Sequence, residues 1–442
     1  MATRRLAAMF AAVLAALVPA AGRAAPGNDA SVVVAVVADM TGPDAVGPQD
    51  AADGFRLGIK QLTQRLGNQE ARVVRIDGRA DVDSTVAAVR RLLDQDRVNF
   101  ALTALSPAAF AAILPLLEER HVFVINLGRM PAAMAGAGCS PWVFDLVGPA
   151  AGLDEAAGVQ MAQDQVKRVV VVAPDSPLSA DAVAALQRTF PGQVEAVLTP
   201  RHGAATFPAE LAQLHKLKPD AIYDLLTGGM NVAFMRALAA GGLRPHMAVY
   251  APWPAFDRIY LPAMADGAVG AVTLAVWAAD FDNPANHRLA TEFEAEYGRA
   301  PTAWAAAGYD ASALLDAALK ITRGRTDRAD ALRDALRNAD FASVRGTFHF
   351  NTNQGPVQAY IARKVGRDAR GRLVNATVGV AVHDWRDHAA AACPMRWTPA
   401  PPPPPAVKAK PSGLLPLPPP PALKSKPAAP AKPAARHPAH SD

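Results

Sequence analysis

Between residues 31 and 276, short runs of β-branched and apolar residues alternate with stretches of helical length, and this alternation restricts the fold more than any other feature. The run Ser31-Val-Val-Val-Ala-Val-Val37 is apolar at nearly every position. That pattern fits a strand buried on both faces of a parallel sheet, since a strand with one wet face would alternate. Phe55, Ile59, Leu62 and Leu66 then recur at helical spacing. Strands are expected over 73–76, 100–104 and 122–127, with helices over 86–93 and 110–117 between them. The order is βαβαβαβ, which predicts a doubly wound α/β sheet covered by helices on both faces.

The same order restarts after residues 142–146. Helices are expected at 152–166, 181–190, 207–217 and 232–238, and strands at 169–173, 194–198, 221–226 and 247–251. Thr206 and Pro208 read as the cap and first turn of the third of these helices. After a strand near 269–276 come three consecutive helices, at 286–297, 302–322 and 327–338, and closing strands at 346–350, 357–363 and 373–382. Two such βα-rich halves exceed one sheet. No strict 20–50-residue period links them, so the chain reads as two lobes of duplicated architecture and not as a solenoid.

Charge is distributed unevenly, and its placement excludes one class of function. The net charge is +5, yet residues 26–398 hold 36 basic and 39 acidic side chains; the excess sits in Arg4, Arg5 and Arg23 and in six Lys/Arg after residue 398. A nucleic-acid binder would carry its basic excess on a folded face. No nucleic-acid partner is therefore expected. Met1–Arg5, the apolar run Leu6–Val18 and the small residues near Arg23 read as a secretory signal peptide over residues 1–25, its apolar part too short to span a bilayer. No cysteine lies near the cleavage site, so a soluble periplasmic protein without a lipid anchor is expected. From 397 to 442 the chain is Pro/Ala/Lys-rich, with sixteen of the 39 prolines, and reads as a semi-stiff extended spacer. It is either a solvated tail without a specific partner or an attachment to an anionic envelope polymer or a proline-recognising groove.

The two cysteines, Cys139 and Cys393, lie in a chain bound for an oxidising compartment, where they close one disulfide or remain two buried thiols. The disulfide is the expectation. Enzyme signatures are missing: there is no Gly-x-Ser-x-Gly elbow, no Gly-x-Gly-x-x-Gly after the first strand, no P-loop and no His-Glu-x-x-His. His383 and His388 near Asp384 and Asp387 lack ligand spacing and read as a polar loop. Neither an enzyme nor a cofactor or metal site is expected.

Ordered pieces along residues 31–395 carry a resemblance. They are Ala38-Asp-Met-Thr-Gly-Pro43, Thr103-Ala-Leu-Ser106, Ile125-Asn-Leu-Gly128, Pro141-Trp-Val-Phe144, Pro219-Asp-Ala221, Gly308-Tyr-Asp-Ala311 and Asn353-Gln-Gly-Pro356. Together they resemble the type I periplasmic solute-binding proteins, above all the branched-chain amino-acid-binding family of ABC importers. The resemblance implies two lobes joined by a three-strand hinge, residues 26–146 with 278–350 and residues 147–277 with 351–396. It also implies a small-molecule ligand held in the cleft and delivered to a membrane permease. A bridge between Cys139 and Cys393 would then lie near the converging crossings.

In open α/β sheets ligands bind outside the carboxyl ends of strands. The candidate ligand residues are accordingly Thr41, Val46, Ser106, Gly128, Arg129, Met130, Leu178, Thr227 and Trp253, with Trp304 and Tyr309 from the late helices. Burying an amino acid's ammonium and carboxylate demands an acidic acceptor and several donors. Here Ser106 is followed by Pro107, which has no amide hydrogen. The family's Thr position falls at Met130, its acidic position at or beside Trp253, and a Tyr is replaced by Leu178. The pocket is thus expected to take a larger apolar or aromatic body with a carboxylate, for which Arg129, Ser106 and Thr227 are the donors. Ordinary packing of the tryptophans at the rim and a solvated Arg129 is the plainer alternative. A periplasmic ligand sensor, or a scaffold that has lost binding, is the alternative at the level of function.

Overall fold

A computed structural model describes residues 31–42, 45–347 and 349–397. The expected signal peptide and the proline-rich tail beyond residue 397 lie outside the described residues. The chain opens with β1 (Val32–Ala38), α1 (Val46–Gln61), the hairpin β2 (Arg65–Leu66) and β3 (Gln69–Asp77), α2 (Val82–Gln95), β4 (Phe100–Ala104), α3 (Pro107–Glu119), β5 (Phe123–Asn126), α4 (Ala132–Ala135) and β6 (Val143–Asp145). These strands form a six-stranded sheet in the order β2-β3-β1-β4-β5-β6, parallel except for the β2–β3 pair. The apolar run of β1 is explained directly: Val32, Val34 and Val36 pack in the core that α1 lines, and Val33, Ala35 and Val37 in the core that α2 and α3 line.

A second set follows: α5 (Ala150–Gln163), β7 (Arg168–Val172), α6 (Pro177–Thr189), β8 (Gln193–Leu198), α7 (Pro208–Leu217), β9 (Ala221–Asp224), α8 (Gly228–Ala240), β10 (Ala248–Pro252), α9 (Leu261–Met264) and β11 (Val272–Ala275). The helices α10 (Pro284–Tyr297), α11 (Ala303–Ile321) and α12 (Ala329–Arg337) come next, then β12 (His349–Phe350), β13 (Pro356–Arg367) and β14 (Leu373–Trp385). The second sheet runs β12-β13-β11-β10-β9-β7-β8, with β14 antiparallel on β13. Strands β7 to β11 are parallel and β13 joins antiparallel, which completes the expected α/β pair of sheets. Pro208 does open α7, but the cap position is Phe207 and not Thr206.

Helix α11 returns to the first sheet and lies against α1. A Cβ on Gly54 would come within 2.0 Å of the Ala305 carbonyl oxygen, and one on Gly308 within 2.0 Å of that of Ala51. The two backbones therefore approach as closely as glycine permits. Among the described residues no helix is long and apolar enough to cross a membrane.

Three passages, at 146–149, 276–283 and 351–355, lead from β6 to α5, from β11 to α10 and from β12 to β13. The last of them is bonded to the end of β6: the Asp145 amide donates to the Gln354 carbonyl at 3.0 Å, and the Gln354 side chain donates to the Val143 carbonyl at 2.7 Å. A fourth passage follows β14. Trp385 Nε1 donates to Glu155 of α5 at 2.6 Å, Asn353 Nδ2 donates to Asp387 at 2.9 Å, and Cys393 forms a disulfide with Cys139 after α4, with Cα atoms 5.6 Å apart. Trp397 then donates from Nε1 to the Thr352 carbonyl at 2.8 Å, beneath the Arg337 guanidinium 4.5 Å from its ring centre. Residues 386–397 thus run alongside α4, α12 and the 351–355 turn.

Candidate functional site

The carboxyl ends of both sheets carry the loops expected to hold a ligand, and hydrogen bonds organise them. Asp39, after β1, accepts from the Ser106 amide at 3.0 Å and from the Ala80 amide at 3.1 Å, tying together the loops after β1, β3 and β4. Asp77 accepts from the amides of Met40 and Arg79 and from the Thr41 hydroxyl. Burial pushes its pKa up, but these bonds outweigh burial and hold it below the ordinary carboxylate value. Thr41 is thus committed to Asp77; it also lines a groove of about 480 Å³ with Gln49, Asp53, Arg56 and Arg75.

Ser106 caps α3, its hydroxyl accepting from the Ala109 amide at 3.3 Å, and Pro107 fills the first helical position. Gly128 is buried against the β4 loop, where a Cβ would lie 2.9 Å from the Leu105 carbonyl oxygen. Arg129 beside it is exposed, with no hydrogen-bond or ion-pair partner among the described residues. Met130 packs, partly buried, against the α2/α3 core. Leu178, in the first turn of α6, is 44% exposed. Thr227 precedes α8, exposed, and its hydroxyl does not cap the helix. Tyr309 is apart from these: its hydroxyl donates to Gln61 at the far end of α1, so it serves the α1–α11 packing.

The structure brings Trp253 and Trp304 together. Trp253 opens the 3₁₀ turn Trp253–Phe256 after β10, and Trp304 lies in the first turn of α11, so the pair joins the two lobes. Their ring centres are 5.8 Å apart with planes at 62°, an edge-to-face contact. Trp304 also lies on α1 next to Val46, since a Cβ on Gly47 would sit 2.7 Å from its Nε1.

Several buried acids escaped the sequence reading. Asp154 of α5 accepts from the Tyr223 hydroxyl at 2.5 Å. Burial pushes it up to about 6, opposed by that hydrogen bond and by the positive charge of Arg129 from the other lobe. Asp224, ending β9, is fully buried and pushed up to about 8 by burial; one oxygen accepts from the Leu226 amide at 2.9 Å, and among the described residues the other has no partner. Asp50 of α1 is wholly buried between Arg299 and Arg258. Its signal in the sequence is spacing: Asp50, Gly54 and Gly58 recur every fourth residue along the buried stripe of α1.

Residues 31–370 match the family model of the periplasmic binding proteins. The chain is similar to the Leu/Ile/Val-binding protein homolog 6 of Brucella melitensis, 23% identical over 332 residues that cover 71% of this chain and 82% of that protein. Among solved structures it is similar to an ABC-transporter solute-binding protein of R. palustris in complex with benzoate, with a TM-score of 0.73 and 24% identity over 83% of this chain and 100% of that one. A solute-binding protein of Rhodopseudomonas palustris BisB5 in complex with 3,4-dihydroxybenzoic acid gives a TM-score of 0.72 and 25% identity over 80% and 98%. With two helix-covered, mainly parallel sheets and a family match across its body, this chain belongs to the periplasmic binding protein family.

Proposed function

We propose that the protein is the extracytoplasmic substrate-binding subunit of an ABC importer, and that its cleft captures a small aromatic carboxylate in preference to a branched-chain amino acid. The observation that carries this reading is the edge-to-face pair Trp253–Trp304, contributed by opposite lobes. An aromatic wall built from both halves favours a planar apolar body, because ring contacts add to the area buried. Arg129, exposed and in no hydrogen bond or ion pair among the described residues, is the donor for the carboxylate, and a guanidinium matches two carboxylate oxygens at once. The amino-acid clamp is weak by comparison. Ser106 is spent on capping α3, Pro107 has no amide to offer, and Thr41 is bonded to Asp77.

The benzoate and 3,4-dihydroxybenzoate complexes of the R. palustris relatives agree in chemical class. The protein then binds its ligand, closes, and delivers it unchanged to a permease from the periplasm, where the leader at residues 1–25 would send it. Calorimetric titration of the purified protein with benzoate, 4-hydroxybenzoate, 3,4-dihydroxybenzoate, leucine and valine tests this. Binding by one or more aromatic acids is expected; tight leucine binding with the aromatic acids inert would overturn it.

A further inference from the structure

The seam that holds Trp253 against Trp304 also holds a charge arrangement with no role in gripping a ligand. Asp50 lies on α1, three residues after the Gly47 that Trp304 covers, and its side chain is 0% exposed. Its two oxygens are divided between the lobes. Oδ1 accepts from Nε and Nη2 of Arg299, at 3.0 and 2.7 Å, and Arg299 follows α10 in the first lobe. Oδ2 accepts from Nη2 of Arg258 at 3.1 Å, and Arg258 lies five residues beyond Trp253, on the second lobe's loop. Arg299 is held independently by Asp53 at 2.8 Å and by the rings of Phe293 and Tyr297, at 5.1 and 5.2 Å.

We infer that the Asp50–Arg258 pair is a closure clasp, a positioning device that sets ligand affinity by stabilising the closed cleft without touching the ligand. When the lobes part, Asp50 keeps Arg299 and does not become an orphan charge, while Arg258, 28% exposed when paired, returns to water. The open state therefore pays little for losing the contact, and the gain of the second charge-assisted hydrogen bond, less the cost of Arg258 Nε, which is buried without a partner among the described residues, belongs to the closed state. Affinity scales with the fraction of protein that is closed, so strengthening or weakening the clasp changes the apparent dissociation constant with the ligand's own contacts intact. The inference rests on the reading of the cleft as a clamshell for an aromatic carboxylate.

The test uses the full chain and three substitutions at Arg258, a residue whose partial exposure makes replacement compatible with folding. Small-angle scattering of the ligand-free protein and calorimetry with benzoate are measured for each. Arg258→Ala is expected to bind benzoate about tenfold more weakly and to enlarge the radius of gyration. Arg258→Lys should keep part of the affinity and Arg258→Glu should lose more than Ala, because the order follows charge opposite Asp50. Unchanged affinity and radius in Arg258→Ala, or equal effects of Lys and Glu, would overturn the clasp. If wild type does not bind benzoate, the ligand assignment fails, and the radii alone decide the clasp: an increase ordered Lys, Ala, Glu supports it, and identical radii refute it.

Discussion

Replacing both cysteines, Cys139→Ser with Cys393→Ser, isolates what the covalent fourth passage contributes. The bonded residues are 254 positions apart, so the disulfide closes most of the folded chain into one loop. The chain-entropy relation for a loop of that length gives about 5 kcal/mol of stabilisation, acting on the unfolded ensemble. Native contacts around the bridge survive its removal: Asn353 still donates to Asp387 at 2.9 Å, Trp397 to the Thr352 carbonyl at 2.8 Å, and Arg337 still covers Trp397. The loss therefore falls on the unfolded chain and not on the fold, and for a protein of this length it corresponds to a fall in Tm of about 6 °C. Scanning calorimetry of oxidised wild type, reduced wild type and the double variant is the assay. Reduced wild type and the variant should melt together, below the oxidised protein, with unchanged far-ultraviolet circular dichroism. A variant melting with the oxidised protein would refute the loop argument, and so would a fall confined to reduced wild type.

Two further outcomes follow from buried groups. Asp224 has a folded pKa of about 8 against an ordinary 3.8, so between those values the native state holds a proton the unfolded chain has released. Its stabilisation is complete below about pH 4 and is lost as pH rises to 8. Asp224→Asn removes that loss, so denaturant melts should show the variant and wild type alike at pH 4 and the variant ahead by about 6 kcal/mol at pH 9; a gap that does not widen with pH contradicts the assignment. Gly54→Ala drives a methyl to 2.0 Å from the Ala305 carbonyl oxygen and must separate α1 from α11, at a cost of about 3 kcal/mol in the same assay. Gly379→Ala, where a Cβ meets nothing within 4 Å, is the control and should leave stability unchanged to within about 0.5 kcal/mol.

The elements legible in the sequence are those whose environment is set by their own period. β1 is apolar throughout because each face meets a different helix layer, and nothing beyond its seven residues is needed to see that. The disulfide was legible for a different reason: two cysteines admit one pairing, whatever their separation. Polar partners lack both advantages. Tyr309 and Gln61 are 248 residues apart, and Arg258 and Asp50 208 apart, and any of the many arginines would have matched a buried acid equally well on paper. Local chemistry still narrows the choice. Pro107 withholds an amide wherever the loop lies, so the absence of one backbone donor was readable, whereas the capture of the Ser106 hydroxyl by the Ala109 amide required α3 to begin where it does. The contacts of residues 386–397 were hidden for the same reason: no spacing in that segment distinguishes packing on α4 and α12 from packing on β13. What the sequence conceals is therefore the polar partner distant along the chain, whether in the same half, as for Tyr309 and Gln61, or across the seam. Asp50 illustrates the point, because its i, i+4 register with Gly54 and Gly58 announces a close helix contact, while the Arg258 that completes its shell arrives only when the two halves meet.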